Sequence, residues 1–296
     1  MRTVHVAPKT LGFATSLAIV AMLGAAASAF AQGGPVPVIQ DGTPAVLTVS
    51  PAPKTPQGKP DLSGVWAAPS TDESALLATR LPPFKGEAPQ LTPWAAERYE
   101  YNRDARQAPP ALGSYAEGFG GRRELNPLLQ CVPAGLPYLV AGWGSVSPSE
   151  ILQSDKRVLI FYEFDHNIRQ IWTDGRPHPE FIEPSWVGHS IGRWEGDTLI
   201  VDTVGIRPEP WLNSGGHVAS AELRVEERYR RLDNDTLEIM LTLTDPKAFA
   251  KPWTRRILRR LRPAWEVSES TNVRCYPGAP EMQIQNDFFD DLFLHH

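Results

Sequence analysis

Cysteine is scarce: Cys131 and Cys275 stand alone in 296 residues, so at most one disulfide can form within the chain. A block of like charge is also missing. The 29 Lys and Arg are interspersed with 34 Asp and Glu, for a formal net charge of −5. That mildly acidic balance argues against nucleic acid or an anionic membrane surface as partner. Beyond the N-terminal region no run is apolar enough to cross a bilayer as a helix. There is no G-x-S-x-G elbow, no phosphate-binding loop, no dinucleotide fingerprint and no H-E-x-x-H pair. Any chemistry must therefore come from side chains that the fold brings together.

The N-terminus has a basic start (Arg2, Lys9), an apolar run from Leu11 to Ala27 and the small-residue exit Ala29-Phe30-Ala31. This is the pattern of a signal peptide over 1–31, cleaved before Gln32, and it sends the protein to the periplasm or the exterior. An uncleaved membrane anchor is the alternative, against which the small-residue exit favours cleavage; no cysteine follows the exit to carry a lipid. An oxidising compartment makes a Cys131–Cys275 disulfide the expectation, with two buried thiols as its rival. Residues 32–60 are rich in Pro, Gly and Thr and read as a flexible lead-in.

Residues 61–296 read as one all-β domain. Thr92 as N-cap and Pro93 at the first helical position predict one accessory helix near 92–106. From Glu150 onward, short alternating segments are separated by turn residues at Asp165-His166-Asn167, Glu195-Gly196-Asp197-Thr198, Asp233-Asn234-Asp235 and Arg262-Pro263-Ala264. With the segments at "DLSGVW" and "EILQS" this predicts an antiparallel meander of about 8 to 10 strands, which must close or sandwich to hide its edges. A closed, lipocalin-like barrel is the expected form.

Two hairpins have a register that can be argued. Pairing Trp194 with Leu199 places His189, Ile191, Arg193, Thr198, Ile200, Asp202 and Val204 on one face, with Ser190, Gly192, Trp194, Leu199, Val201 and Thr203 on the other. The charged face is expected to wall the cavity. A three-residue turn at 233–235 pairs Arg230 with Glu238 and gathers Val225, Tyr229, Leu237, Ile239 and Leu241 on one face. Glu227 then lies among apolar side chains, where a carboxylate needs a partner or a raised pKa.

Taken together, "DLSGVW", "LTPWAAERYE", "CVPAGLP", "DGRPHP", "PSWVGHSIGRWEGDTLIVDTVG", "ERYRR" and "TDPKAFAKPW" resemble a large family of secreted bacterial proteins. The resemblance covers most of residues 61–270 and implies secretion and a β-rich fold. It carries over no catalytic assignment. Gly64-x-Trp66 separately resembles the G-x-W signature of lipocalins.

The candidate chemistry lies at strand ends, where a barrel has its mouth. His178 lies within "DGRPHP", His189 begins a strand and His217 sits in "NSGGHVAS". In one arrangement His189 or His178 is a general base oriented by Asp202 or Asp174, with Arg193 or Arg176 stabilising an oxyanion. In another, His178, His189 and His217 hold a divalent metal with one position open. In the third, Asp174, Arg176, Arg193 and Asp202 merely brace the hairpins through ion pairs. Trp186, Trp211 and Tyr229 are candidates to stack on a flat or apolar ligand.

The expectation is an enzyme of lyase, isomerase or hydrolase type acting on a small, partly apolar or aromatic molecule without an organic cofactor. Its rivals are a non-catalytic lipocalin-like carrier of an apolar ligand and a structural envelope protein.

Overall fold

The computed structural model describes residues 50–107, 127–130, 132–141, 147–213, 215–265 and 267. The predicted leader and most of the lead-in lie outside these residues, as do Cys131 and Cys275. Nine strands close into a barrel in sequence order: β1 (Gly64–Ala67), β2 (Ser149–Gln153), β3 (Arg157–Tyr162), β4 (Ile168–Trp172), β5 (His189–Glu195), β6 (Thr198–Val204), β7 (Arg224–Arg231), β8 (Thr236–Thr244) and β9 (Trp253–Leu261). Closure comes from β9 pairing back onto β1 through Trp66↔Leu261 and Ala67↔Arg260, which leaves no free edge.

One pairing departs from the antiparallel rule. β4 and β5 run parallel, with Ile171 opposite Ser190 and Trp172 opposite Ile191. The chain leaves the end of β4, travels along residues 173–188 and doubles back before pairing, so that β5 runs in the same direction as β4. Parallel neighbours require a long connection of this kind, and this one carries His178 and Trp186.

The predicted helix is present as Pro93–Gln107, with the Ala95 amide donating to the Thr92 hydroxyl at 3.3 Å. In chain order it is α2. A further helix, α1 (Thr71–Arg80), starts from a capping box: the Ser70 hydroxyl accepts from the Glu73 amide at 3.2 Å, and the Glu73 carboxylate accepts from the Ser70 amide at 2.7 Å. The one-turn α3 (Tyr138–Ala141) is buried, and its carbonyls at Ala141 and Val140 accept from Arg255 at 2.9 Å and Arg259 at 3.0 Å. Cations at a helix C-terminus satisfy carbonyls that the helix itself leaves open.

Both argued registers are present. Trp194 pairs with Leu199 and His189 with Val204, while Arg230 pairs with Glu238 and Tyr229 with Ile239. The assignment of faces in the first hairpin is reversed. Ser190, Leu199, Val201 and Thr203 are the buried, inward side, and the face of His189, Arg193 and Asp202 is the outer wall. Period-2 alternation separates the two faces but does not say which one the barrel encloses. Enclosing Ser and Thr hydroxyls that can bond each other costs less than enclosing a His, an Arg and an Asp.

Candidate functional site

Polar groups gather in two places, one on the outer wall and one in the lumen. The outer cluster depends on how closely the 173–188 connection lies against β6. Ser185 bridges to Ile206 through two backbone hydrogen bonds, Ser185 N–H to Gly205 O and Arg207 N–H to Ser185 O, each 3.0 Å. Two glycines permit that approach. Gly205 (φ +69°) is so close to Ile182 that an added Cβ would lie 2.5 Å from its Cγ2, and at Gly188 (φ +64°) a Cβ would meet the Val204 carbonyl at 2.7 Å.

With the connection so placed, His178 reaches two strand residues. Its Nε2 is 3.1 Å from the Asp202 carboxylate, and its Nδ1 is 2.8 Å from Nδ1 of His189. Asp202 also accepts from Arg224, at 2.6 Å from Nε and 2.5 Å from Nη2. These contacts determine the tautomers. A carboxylate accepts only, so His178 carries its proton on Nε2 and, when neutral, presents a lone pair at Nδ1. His189 must then donate from Nδ1, which leaves the lone pair of His189 on Nε2.

The electrostatics agree with a neutral His189. Burial lowers the basicity of its imidazole, and the neighbouring His178 and Arg176 charges lower it further. Burial pushes the Asp202 carboxyl the other way, upward, but the Arg224 and His178 bonds and charges outweigh burial and hold it below its usual range.

The lumen cluster centres on Arg169. Strands β4 and β7 are separated by two others, so the Arg169–Glu227 pair crosses the interior. Arg169 Nη1 donates to Glu227 Oε1 at 3.0 Å, and Nη2 donates to Glu227 Oε2 and, at 2.7 Å, to the Thr203 hydroxyl; Nε donates to Ser190 at 3.0 Å. Tyr229 donates its hydroxyl to Glu227 at 2.7 Å. Glu227 thus sits on the apolar face as the register required, and its partner is a buried arginine.

The remaining candidates are placed elsewhere. Asp174 and Arg176 pair with each other at 2.6 Å, and the Arg176 guanidinium lies 3.6 Å from the Trp172 ring centre. Arg193 pairs with Glu195 at 2.8 Å on the exposed surface. His217 is held by Asn213 at 3.1 Å and stacks on Tyr99 with ring centres 4.3 Å apart, so it does not join the His178–His189 pair. No group of three His, Cys, Asp or Glu with metal-binding geometry occurs among the described residues. Trp186 is covered by the Arg207 guanidinium at 4.2 Å, and Trp211 is buried.

Sequence reasoning missed Arg169 and Arg224. Arg169 shares its strand parity with Ile171, which is fully buried, and that parity was the available signal. Arg224 could be placed against Asp202 only through the β6–β7 register, with Thr203 opposite Val225, and the long connection between those strands does not set it.

Compared with protein-family models, with curated proteins and with solved structures, the chain matches none of them.

Proposed function

We propose that this protein is a secreted acid/base catalyst in which the His189 imidazole transfers protons to and from a small, partly apolar or aromatic organic molecule. The reaction class is elimination, isomerisation or hydrolysis, and no organic cofactor takes part. The observation that carries this function is the hydrogen-bonded chain Asp202–His178–His189. His189 Nε2 accepts the substrate proton. Passing the Nδ1 proton across the 2.8 Å contact then moves the positive charge onto His178, beside the Asp202 carboxylate. Charge next to a carboxylate is better stabilised than charge on the partly buried His189. Arg176, whose positive charge is felt at His189, is the candidate to stabilise negative charge developing on the substrate.

A carrier holding its ligand in the lumen is less well supported. Among the described residues, the lumen cavity lined by Trp66, Ile160 and Tyr229 measures about 10 Å³. Ligand pockets typically measure about 300 to 1,000 Å³.

The test is proton exchange. Purified protein is incubated in D2O with a panel of small ketones, carboxylates and esters, and deuterium uptake and product formation are followed by NMR. The expected result is turnover that falls by about a hundredfold or more in His189→Ala. Equal turnover by the wild type and His189→Ala would overturn the proposal, as would the absence of turnover across the panel.

A further inference from the structure

The outer wall of the barrel changes character between β2 and β4. Over β7 to β9 the outward side chains are charged and paired, Arg230 and Arg256 with Glu238 and Arg260 with Asp235. Strand β3 is apolar on both sides instead. Val158, Ile160 and Tyr162 point into the core, while Leu159 and Phe161 alternate with them on the outside and are half-buried. The neighbouring strands continue the patch: Leu152 lies opposite Leu159 and is 44% exposed, and Ile168 lies opposite Phe161 and is 58% exposed. A strand with hydrocarbon on both faces is ordinarily covered on both. Contiguous exposed hydrocarbon of this kind marks an interaction surface.

Two charges frame the patch at its opposite ends. Glu150 lies opposite Phe161, at the Ile168 end, and Arg157 lies opposite Trp172, at the other. Among the described residues neither side chain has an ion-pair partner. The face therefore runs from an unpaired negative charge, through Leu152 and Leu159, to an unpaired positive one. That order is self-complementary. Turning a second copy over about a two-fold axis that crosses the strands sets Leu152 and Leu159 against their own counterparts and Ile168 toward Trp172 of the other copy. The same operation brings Glu150 to within one strand spacing, about 4.8 Å laterally, of the position of Arg157 in the other copy. Symmetry makes both charge pairs at once.

We infer that the outer face of β2 to β4 is the interface of a two-fold homodimer, with Leu152, Leu159, Phe161 and Ile168 as its apolar centre and Glu150–Arg157 pairs between copies at its rim. Three strands of five residues make a face about 14 Å wide and about 17 Å long. That is well short of the roughly 800 Å² per partner of a standard stable interface, so the dimer is reversible, with a Kd in the micromolar range. The His178–His189 pair lies outside this face, and no catalytic step enters the inference.

The test is the mass of the full chain in solution. Sedimentation equilibrium over about 1 to 300 µM is expected to show a reversible monomer–dimer equilibrium. Leu152→Glu places a charge at the apolar centre and should raise the Kd about tenfold or more. Glu150→Arg and Arg157→Glu each set like charges across the axis and should weaken the dimer, whereas the double exchange E150R/R157E reverses both charges and should restore wild-type association. All of these side chains lie on the outer wall, so melting temperatures should stay near that of the wild type. A monomer at every concentration overturns the inference, and so does a dimer whose Kd is unchanged in Leu152→Glu or is not recovered in the double exchange. A chain that stays monomeric but co-sediments with phosphatidylcholine vesicles would assign the face to a lipid surface in place of a second copy.

Discussion

Arg169 and Glu227 meet inside the barrel through two hydrogen bonds, and neither side chain is exposed at all. Ser190 and Thr203 accept two more of the guanidinium protons, so the charges are compensated and four of the five donors are satisfied. Removing one partner leaves the other charge buried alone, which typically costs about 3 to 5 kcal/mol. Arg169→Met should therefore lower unfolding free energy by about that amount, whereas the double variant Arg169→Met/Glu227→Leu should recover most of it. Denaturant unfolding of the two variants and the wild type checks the order. A double variant less stable than the single would show that the pair contributes more than its own neutralisation.

The outer pair gives stability a pH dependence. His189 has a folded-state pKa below its usual 6.5, first through burial and then through the charges of His178 and Arg176. As pH falls through 6.5 the unfolded chain takes up this proton before the folded protein does, so stability declines until the folded imidazole is protonated as well. Above 6.5 both states are neutral at this group and it adds no slope. Unfolding free energies measured across that window should fall less steeply with acid in His189→Asn. Nitrogen NMR of the wild type should find the His178 proton on Nε2 and the His189 proton on Nδ1. In Asp202→Asn the side-chain amide can donate as well as accept, and the His178 assignment should no longer be unique.

Much of the barrel was legible because its turns and alternation agree. Both hairpin registers follow from local facts, the Glu-Gly-Asp-Thr turn at 195–198 and the apolar match of Val225, Glu227 and Tyr229 with Leu243, Leu241 and Ile239. What local pattern could not supply is closure. Whether His189 or Ser190 faces inward depends on which side the other seven strands occupy, and that is a property of the whole ring. The parallel β4–β5 pair was hidden for a related reason: nothing within residues 173–188 states where the chain comes back. The histidines were visible as residue types, but their partners were not. Arg224 reaches Asp202 across the β6–β7 pair, whose register the long connection between them leaves open, and Arg169 reaches Glu227 across the lumen from a strand not adjacent to it.

The capping box of α1 carries a second pH-dependent term. Glu73 is held at about 2 chiefly by the hydrogen bond from Arg262, against the upward push of burial and with help from the Ser70 amide and the Arg262 and Arg260 charges. Because the folded pKa is depressed, the stabilisation is present in full above the ordinary carboxylate value of 4.5 and is lost as pH falls toward about 2. Glu73→Gln keeps a side-chain acceptor for the Ser70 amide but removes the charge facing Arg262. The group is partly exposed, so the variant should lose about 1 kcal/mol or less at neutral pH. That difference from the wild type should shrink toward zero in acid, which parallel unfolding curves across pH will measure.

Gly205 controls the His178–His189 contact without touching it. At φ +69° any other residue is strained, and a methyl group there would sit 2.5 Å from Ile182 Cγ2, well inside contact distance. The easiest relief is for the 173–188 connection to lift away from β6, which lengthens the path from His178 to Asp202. Strand pairing in β5 and β6 does not depend on that connection, so the barrel should persist. Gly205→Ala is therefore expected to destabilise the fold by about 1 to 3 kcal/mol, as strain in the left-handed region usually does. The His189 pKa should rise toward 6.5 as its covering loop departs. Proton titration by NMR reads that shift directly. An unchanged His189 titration in a destabilised Gly205→Ala would mean that the loop is held over the histidines by contacts other than its approach to Gly205.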